Sequence, residues 1–459
     1  MMRTATLSLV DGTKVVVPDS LNLITPYVLK EQADWFEDEI RFLRRLLRQG
    51  DQMIDVGANY GVYGLSMASK VGPPGRVWAF EPASGTAGML ADSVALNAFV
   101  NVVVDGRALS DAPGRARLSL NDNSELNAIT RAGGPLGHFE SVELTTLDAC
   151  MDQYGWRDVR VVKIDAEGEE SRILRGGARF FSELSPLVLY EIKAGEAWHL
   201  DVTDLFSQQG YRSYRLIPGL DMLAPFGPGE PPDGYLLNLF ACKSDRAAEL
   251  ATQGWLVLPD DAGRDGPDLG GIDGEARWKQ PLAGLPFAAE LGRIVSADAD
   301  PAMFEALALH ARSQDRSVPA GVRLGAMRRS LGLLTTACGA KASPSRLSTL
   351  ARVADGYGSR SLAVQALQLL FSAVERDAGW QLDGPFLPAC ERFDHIPPAG
   401  RPREWLLASA LEAFETRASF SSYYTGPAAR PRLELIERLG WASDEMTRRL
   451  ALLRERFGS

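Results

Sequence analysis

From Met53 to about Lys243, short apolar runs alternate with helical patterns. QMIDV precedes a helix expected over Tyr60 to Lys70. RVWAF precedes one over about Gly85 to Asn97, and NVVVD follows. RARLSL and ESVELTTL are two amphipathic runs flanking a polar loop. RVVKID leads into a helix over Glu169 to Leu184, and LVLYEI into a weaker one near Val202 to Gln209. YRSYRLI and YLLNLFAC close the series with no useful helix between them, which predicts an antiparallel hairpin at that edge. Strands alternating with helices predict a parallel sheet covered on both faces. Ahead of this unit, MMRTATLSLVDGTKVVV alternates like a hairpin turning at Asp11-Gly12. DWFEDEIRFLRRLLRQ places Phe36, Ile40, Leu43 and Leu47 on one helical face and reads as a cover helix.

After about Asp245 the pattern changes. PDDAGRDGPDLGGIDGE is a linker by composition. Beyond Glu275 strand patterns vanish, and helices are expected near 301–314, 320–337, 344–355, 360–377, 403–417, 430–438 and 443–457. No clean period appears, so an irregular bundle and a repeat-like stack both stand. The expected divisions are 1–50 (hairpin and cover helix), 51–245 (α/β unit), 246–275 (linker) and 276–459 (helical, all-α).

Charge sharpens this division. Net charge is -10, with residues 1–275 at -15 and residues 276–459 at +5. An acidic front half disfavours nucleic acid and welcomes a small cation. Four scattered cysteines without CxxC spacing disfavour a disulfide framework or zinc site and suit a reducing, cytoplasmic setting. No apolar run reaches the roughly 18 residues that span a bilayer.

IDVGANYGVYG puts Asp55 at a strand end, then Gly57, Gly61 and Gly64 in GxxxGxxG spacing. A dinucleotide site brings glycines against a pyrophosphate. Here an acid comes first, which repels phosphate and orients an amino group. Glu81, at the end of the next strand in AFEP, can accept two ribose hydroxyls. S-adenosylmethionine has an amino acid end, a sulfonium and a ribose, and no phosphate.

In order, IDVGANYGVYG, RVWAFEP, VALNAFVNVVV, RALSD, TTLD and VKIDAEGEESRILRGGARFF resemble the FkbM family of S-adenosylmethionine-dependent methyltransferases, over roughly residues 20–243. The resemblance implies a class I (Rossmann-like) methyltransferase fold: a seven-stranded, mostly parallel sheet with an antiparallel last strand. It implies that Asp55, Gly57, Ala58, Asn59, Tyr60 and Gly61 cradle the methionine part, that Glu81 and Pro82 hold the ribose, and that Arg107 and Ala108 lie against the adenine. Departures are Ser93, Ala166, Glu169 and Lys193; the last leaves the proton-accepting role at its position open.

KIDAEGEE crowds four carboxylates at one junction. Asp165, at the carboxyl end of a buried strand, is expected to face the cleft. Glu169 and Glu170 suit a helix start, where the macrodipole favours acids. Magnesium in oxygen coordination is an alternative for this cluster, but no second acid pair follows and no metal is expected. Methyl transfer to an alcohol also needs a proton acceptor; the candidates are Asp165, Glu191 and His199, with Lys193 and His138 behind them. The loop NDNSELNAIT is a better candidate for substrate hydroxyls than any single histidine. The helical part shows no catalytic motif; SFSSYYTGP, Ser419 to Pro427, is either an acceptor groove or a packed loop.

The expected function is an S-adenosylmethionine-dependent O-methyltransferase acting on a hydroxyl of a sugar, glycan or secondary metabolite. An N-methyltransferase and a non-catalytic interaction protein are the alternatives. A carrier-protein or homo-oligomer contact through the helical region completes the partner expectations.

Overall fold

The computed structural model describes residues 3–130, 138–194, 197–227, 229–263, 282, 285–288, 300–377 and 379–458. Its contacts resolve two compact units that are not contiguous in sequence. The first comprises 1–216, 225–230 and 236–253, and the second 217–224, 231–235 and 254–459.

In the first unit, β1 (Thr4–Ser8) and β2 (Lys14–Pro18) pair antiparallel around Gly12, whose φ of 84° is the left-handed turn that Asp11-Gly12 predicts. Two side chains of α4 (Ser84–Leu96) and its C-cap hold this hairpin. Ser93 Oγ accepts from Val16 N at 2.8 Å, and the Asn97 amide bonds both the N–H and the carbonyl of Lys14. The Ser93 departure is thus a packing contact. A helix the pattern did not announce, α1 (Ile24–Gln32), precedes the cover helix α2 (Asp38–Leu46). Ile40, Leu43 and Leu47 are buried as expected, and Arg44 pairs with Asp34 through two hydrogen bonds of 2.6 and 2.7 Å.

The central strands are β3 (Gln52–Val56), β4 (Arg76–Phe80), β5 (Val102–Asp105), β10 (Val161–Ile164), β11 (Leu187–Glu191), β14 (Arg212–Ile217) and β16 (Asn238–Cys242). They run in the order β14-β16-β11-β10-β3-β4-β5. The five from β11 to β5 are parallel, and β16 is antiparallel to both β11 and β14. This is the class I methyltransferase arrangement, with its reversed last strand inserted between β11 and β14. The short strand β15 (Met222–Pro225) straddles the boundary between the units. Near-continuous apolar strands are what burial on both faces requires. Trp78, Trp156, Phe180, Phe181, Tyr190 and Phe206 fill one side of the sheet.

The two amphipathic runs form a separate sheet, order β6-β9-β7-β8, from β6 (Ala108–Leu109), β7 (Gly114–Leu120), β8 (Ala128–Thr130) and β9 (His138–Thr145). The helix expected over 169–184 is two, α6 (Glu170–Gly176) and α7 (Ala178–Leu184). Gly176 lets the Ser110 turn approach, since a Cβ there would lie 2.1 Å from the Ser110 carbonyl oxygen. A helix, Ser244–Thr252, occupies the first part of the expected linker because Ala247 and Leu250 share a buried face. Residues 264–281, the rest of that linker and beyond, lie outside the described residues.

In the second unit, helices span Pro301–Gln314, Ala320–Ala340, Pro344–Tyr357, Arg360–Arg376, Pro402–Arg417, Arg430–Leu439 and Asp444–Phe457. The first four pack each on the next. Their core includes Ile217, Leu220, Met222 and Ala224 beside Leu324, Met327, Leu347 and Leu367. The Ser419 to Pro427 stretch forms a short capped helix, Ser422–Thr425, with Ser421 Oγ accepting from Tyr423 N. Among the described residues no helix is long and apolar enough to cross a membrane.

Candidate functional site

The carboxyl ends of β3 and β4 carry the first group. The chain leaves β3 through Gly57 (φ 73°), and Gly57 N and Ala58 N both donate to Phe80 O. A Cβ on Gly57 would stand 1.8 Å from the Asp165 carbonyl oxygen, so glycine is what brings this turn against β10. Asn59 adopts the left-handed region (φ 50°), and its N–H donates to Glu81 Oε2 at 2.9 Å. Ala83 N donates to Glu81 Oε1 at 2.8 Å. Burial pushes the Glu81 carboxyl up to about 7, against these two bonds. Pro82 follows half-buried, and Tyr60 is buried beneath the turn, which raises its phenol.

Asp55 is completely buried, and among the described residues neither of its carboxyl oxygens has a well-aligned hydrogen-bond partner, the Gly64 N–H nearby giving partial compensation. Burial raises its pKa, with the Lys163 charge opposing. Gly64, on α3 (Val62–Val71), abuts it, since a Cβ there would lie 2.9 Å from Asp55 Oδ2. A buried acid without a well-aligned donor is costly unless something pairs with it.

At the end of β5, Arg107 Nε and Nη2 clamp Asp105 at 2.9 and 2.6 Å, and Tyr154 donates to Asp105 Oδ2 at 2.8 Å. Burial opposes the charge of Asp105, yet Arg107 and Tyr154 hold its carboxyl below the ordinary value. The guanidinium is therefore fixed by Asp105, and Ala108 is buried beside it in β6.

The carboxyl ends of β10 and β11 carry the second group. Asp165, Glu167 and Glu191 each offer an oxygen within 4.8 Å of the others. The buried Lys163 ammonium lies 2.7 Å from Asp165 Oδ2, and Asp165 itself is 39% exposed. Burial works against the charge on Lys163, but Asp165, Asp55 and Glu37 together raise its pKa. Glu167, in the left-handed region (φ 48°), is pushed up to about 7 by burial and by Asp165. Glu191 is pushed up to about 10, again by burial first and then by Asp165 and Glu167. Burial and mutual repulsion thus favour the protonated form within this cluster, at Glu191 and Glu167 alike.

Glu169 and Glu170 turn away to structural partners. Glu170 Oε1 accepts from Ala166 N and Gly168 N, and Glu169 accepts from Ser110 Oγ. The Glu170 bonds brace the turn that leads into α6, and the Glu169 bond ties that turn to Ser110.

Of the proposed proton acceptors, Asp165 and Glu191 are brought together, and His199 is not. It follows the β12–β13 hairpin (Lys193–Ala194 and Ala197–Trp198) and is exposed; its N–H donates to Ile192 O, and its carbonyl accepts from Val202 N. Lys193 lies 5.0 Å from the Trp198 ring centre. His138 is exposed at the start of β9, and 131–137, the rest of its loop, lie outside the described residues.

Sequence reasoning missed Lys163, Tyr63 and Glu37. Tyr63 donates to Glu37 Oε2 at 2.5 Å, and Lys163 Nζ lies 5.1 Å from the Tyr63 ring centre. The loop NDNSELNAIT folds over the glycine turn. Ser124 Oγ donates to Asn59 Oδ1 at 2.8 Å, Asn123 Oδ1 accepts from Ile24 N, and Glu125 accepts from Thr25 N and its hydroxyl.

Residues 55–213 match the methyltransferase FkbM domain. No curated protein matches the chain. Among solved structures, the methyltransferase FkbM of Methylobacillus flagellatus KT is 19% identical at a TM-score of 0.30, over 43% of this chain and 45% of that one. The SAM-dependent O-methyltransferase of Thermotoga maritima is 12% identical at 0.26, over 52% and 77%. A candidate methyltransferase of Streptococcus mutans in complex with SAH is 11% identical at 0.27, over 45% and 95%.

Proposed function

We propose, from the premise that residues 55–213 form an FkbM methyltransferase domain, that this domain moves a methyl group from S-adenosylmethionine to a hydroxyl of a sugar, glycan or secondary metabolite. The residues present fit that cofactor. Asp55 is a buried carboxyl with no well-aligned partner among the described residues, as a site for an ammonium group requires. Glu81 keeps lone pairs beyond its two backbone donors, as a ribose diol requires. Asn59, Tyr60 and the turn Gly57–Gly61 would line the methionine part, and the Arg107–Asp105 clamp and Ala108 the adenine. When bound, the cofactor supplies an electrophilic methyl group on a sulfonium.

The acid cluster performs the rest. Positioning supplies much of the rate for an in-line displacement, and Asp165, fixed by Lys163, would orient the acceptor hydroxyl. Loss of the hydroxyl proton needs a base whose pKa lies near the working pH. A carboxyl oxygen of Glu167 meets that need, while the Glu191 proton stays in place as a donor.

The single observation that carries this reading is the pairing of the two groups. Asp55 and Glu81 flank a glycine turn on β3 and β4, and Asp165, Glu167 and Glu191 stand on the neighbouring strand ends. The excess of acids also supports a second reading, transfer to an amine drawn in as its ammonium form. The test uses methyl-labelled S-adenosylmethionine with matched hydroxyl and amine acceptors. Glu81→Ala is expected to weaken S-adenosylhomocysteine binding by about 1.5–3 kcal/mol, the worth of hydrogen bonds to a charged group. Unchanged affinity by titration calorimetry refutes the ribose role of Glu81, and label appearing on amines alone replaces the hydroxyl reading.

A further inference from the structure

Glu37 stands 18 positions before the matched segment begins, on the connection into the cover helix. It occupies the N-cap of α2, where a short polar side chain such as aspartate or serine ordinarily accepts from the first free N–H groups. Its side chain makes no such bond. It turns instead to the Tyr63 hydroxyl, which donates to Glu37 Oε2 at 2.5 Å. Tyr63 is buried on the first turn of α3, and its ring lies against the Lys163 ammonium, 5.1 Å from ring centre to Nζ. Lys163 Nζ then donates to Asp165 Oδ2 at 2.7 Å. Three segments distant in sequence thus meet in one chain of contacts that ends on the cleft acid.

We propose that Glu37 is a positioning residue of the acid cluster, acting through the Tyr63 hydroxyl and the Lys163 ammonium on the Asp165 carboxylate. An ammonium over a ring face gains from the ring's electron density, and a hydroxyl donating to a carboxylate enriches that ring. Burial raises the Glu37 carboxyl, while the Lys163 charge and the Tyr63 hydrogen bond act the other way; ionised, Glu37 adds a second attraction for Lys163 that burial leaves weakly screened. The helix that Glu37 caps is itself tied to α3, because Arg44 on α2 is clamped by Asp34 and donates to Ser66 at 2.6 Å. Its charge is also felt at Glu191, the far member of the cluster. The inference rests on the methyl-transfer reading only for its purpose; the chain of contacts exists without it.

Two measurements on the full-length protein separate the two ideas. The ammonium of a buried lysine exchanges slowly and is visible by nitrogen-15 NMR in lysine-labelled protein, with Lys163→Arg assigning the signal. Calorimetry with S-adenosylmethionine and with S-adenosylhomocysteine, in buffers of different ionisation enthalpy, counts the protons exchanged on binding. Glu37→Gln keeps an oxygen for Tyr63 and removes the charge; it is expected to shift the Lys163 signal and change the proton count. Tyr63→Phe, with the ring kept and the hydroxyl lost, is expected to shift the same signal, and Glu37→Asp to restore it in part. A purely structural role would lower Tm and leave the signal and proton count in place. Wild-type values of both in Glu37→Gln and Tyr63→Phe overturn the proposal. A wild-type protein that binds neither cofactor form overturns the methyl-transfer reading instead, and the lysine signal of the ligand-free protein still decides the role of Glu37.

Discussion

Glu191 shows how much one residue's setting decides. Its carboxyl is pushed up to about 10 from an ordinary 4.5, by burial and then by Asp165 and Glu167. Between those two values the folded protein holds a proton that the unfolded chain has lost, so stability falls as pH rises through the window. Glu81 and Glu167, at about 7, add to the same slope at its lower end. Glu191→Gln mimics the protonated acid at every pH. The ligand-free variant is therefore expected to match wild type near pH 4.5 and to gain Tm over it progressively toward pH 9. Thermal melts across that range check this, and parallel curves refute the raised carboxyl. Asp55 and Glu81 were legible as sequence because a strand end, a glycine turn and an acid form one local pattern. Lys163 was hidden inside an apolar strand, and Glu37 inside the acidic run EDE, outside any motif. His199 drew notice because free imidazole titrates near neutrality. Here burial first, and then repulsion from Asp165, brings a carboxyl, Glu167, to that range instead, and only three-dimensional crowding produces it.

At the scale of elements, the period of the apolar pattern located most strands and helices, since both faces of the central sheet are buried. It did not reveal which elements join distant segments, because those joins depend on single polar atoms. Ser93 is the clearest case. Its hydroxyl sits in the middle of α4, fully buried, and accepts from Val16 N while donating to Met89 O. Ser93→Ala leaves the Val16 amide without that acceptor, a loss expected to cost about 1–3 kcal/mol of stability. Cofactor affinity is expected to stay near wild type, since the hairpin lies apart from the glycine turn in the hydrogen-bond pattern. Denaturant unfolding with titration calorimetry on the same sample tests both halves. Similarly, the break between α6 and α7 follows from a backbone approach at Gly176 that no periodicity encodes.

The whole molecule divides differently from its sequence. Composition marks a boundary near Asp245, but segments 217–224 and 231–235 belong to the second unit. Ile217, Leu220, Met222 and Ala224 lie in that unit's core cluster. These apolar residues sit in short runs that read equally well as parts of the α/β series, so sequence alone could not assign them. A fragment ending at Gln253 retains the sheet and the candidate site but exposes those four side chains. Burying each large apolar side chain is worth about 1.5–3 kcal/mol. The fragment is expected to aggregate or melt well below the full chain, and co-expression of 254–459 to restore it. A monomeric fragment with the full-length Tm would refute this.

The loop at 123–125 has one further consequence. Its Asn123 and Glu125 side chains satisfy the first free amides of α1, and its Ser124 holds Asn59 in the glycine turn. Lifting that loop therefore bares donors at the start of α1 at the same moment as it loosens the turn. The fraying of an N-terminal helix and the loosening of the glycine turn become one cooperative event. Whatever steadies one end of this latch is communicated to the other without any intervening change of fold.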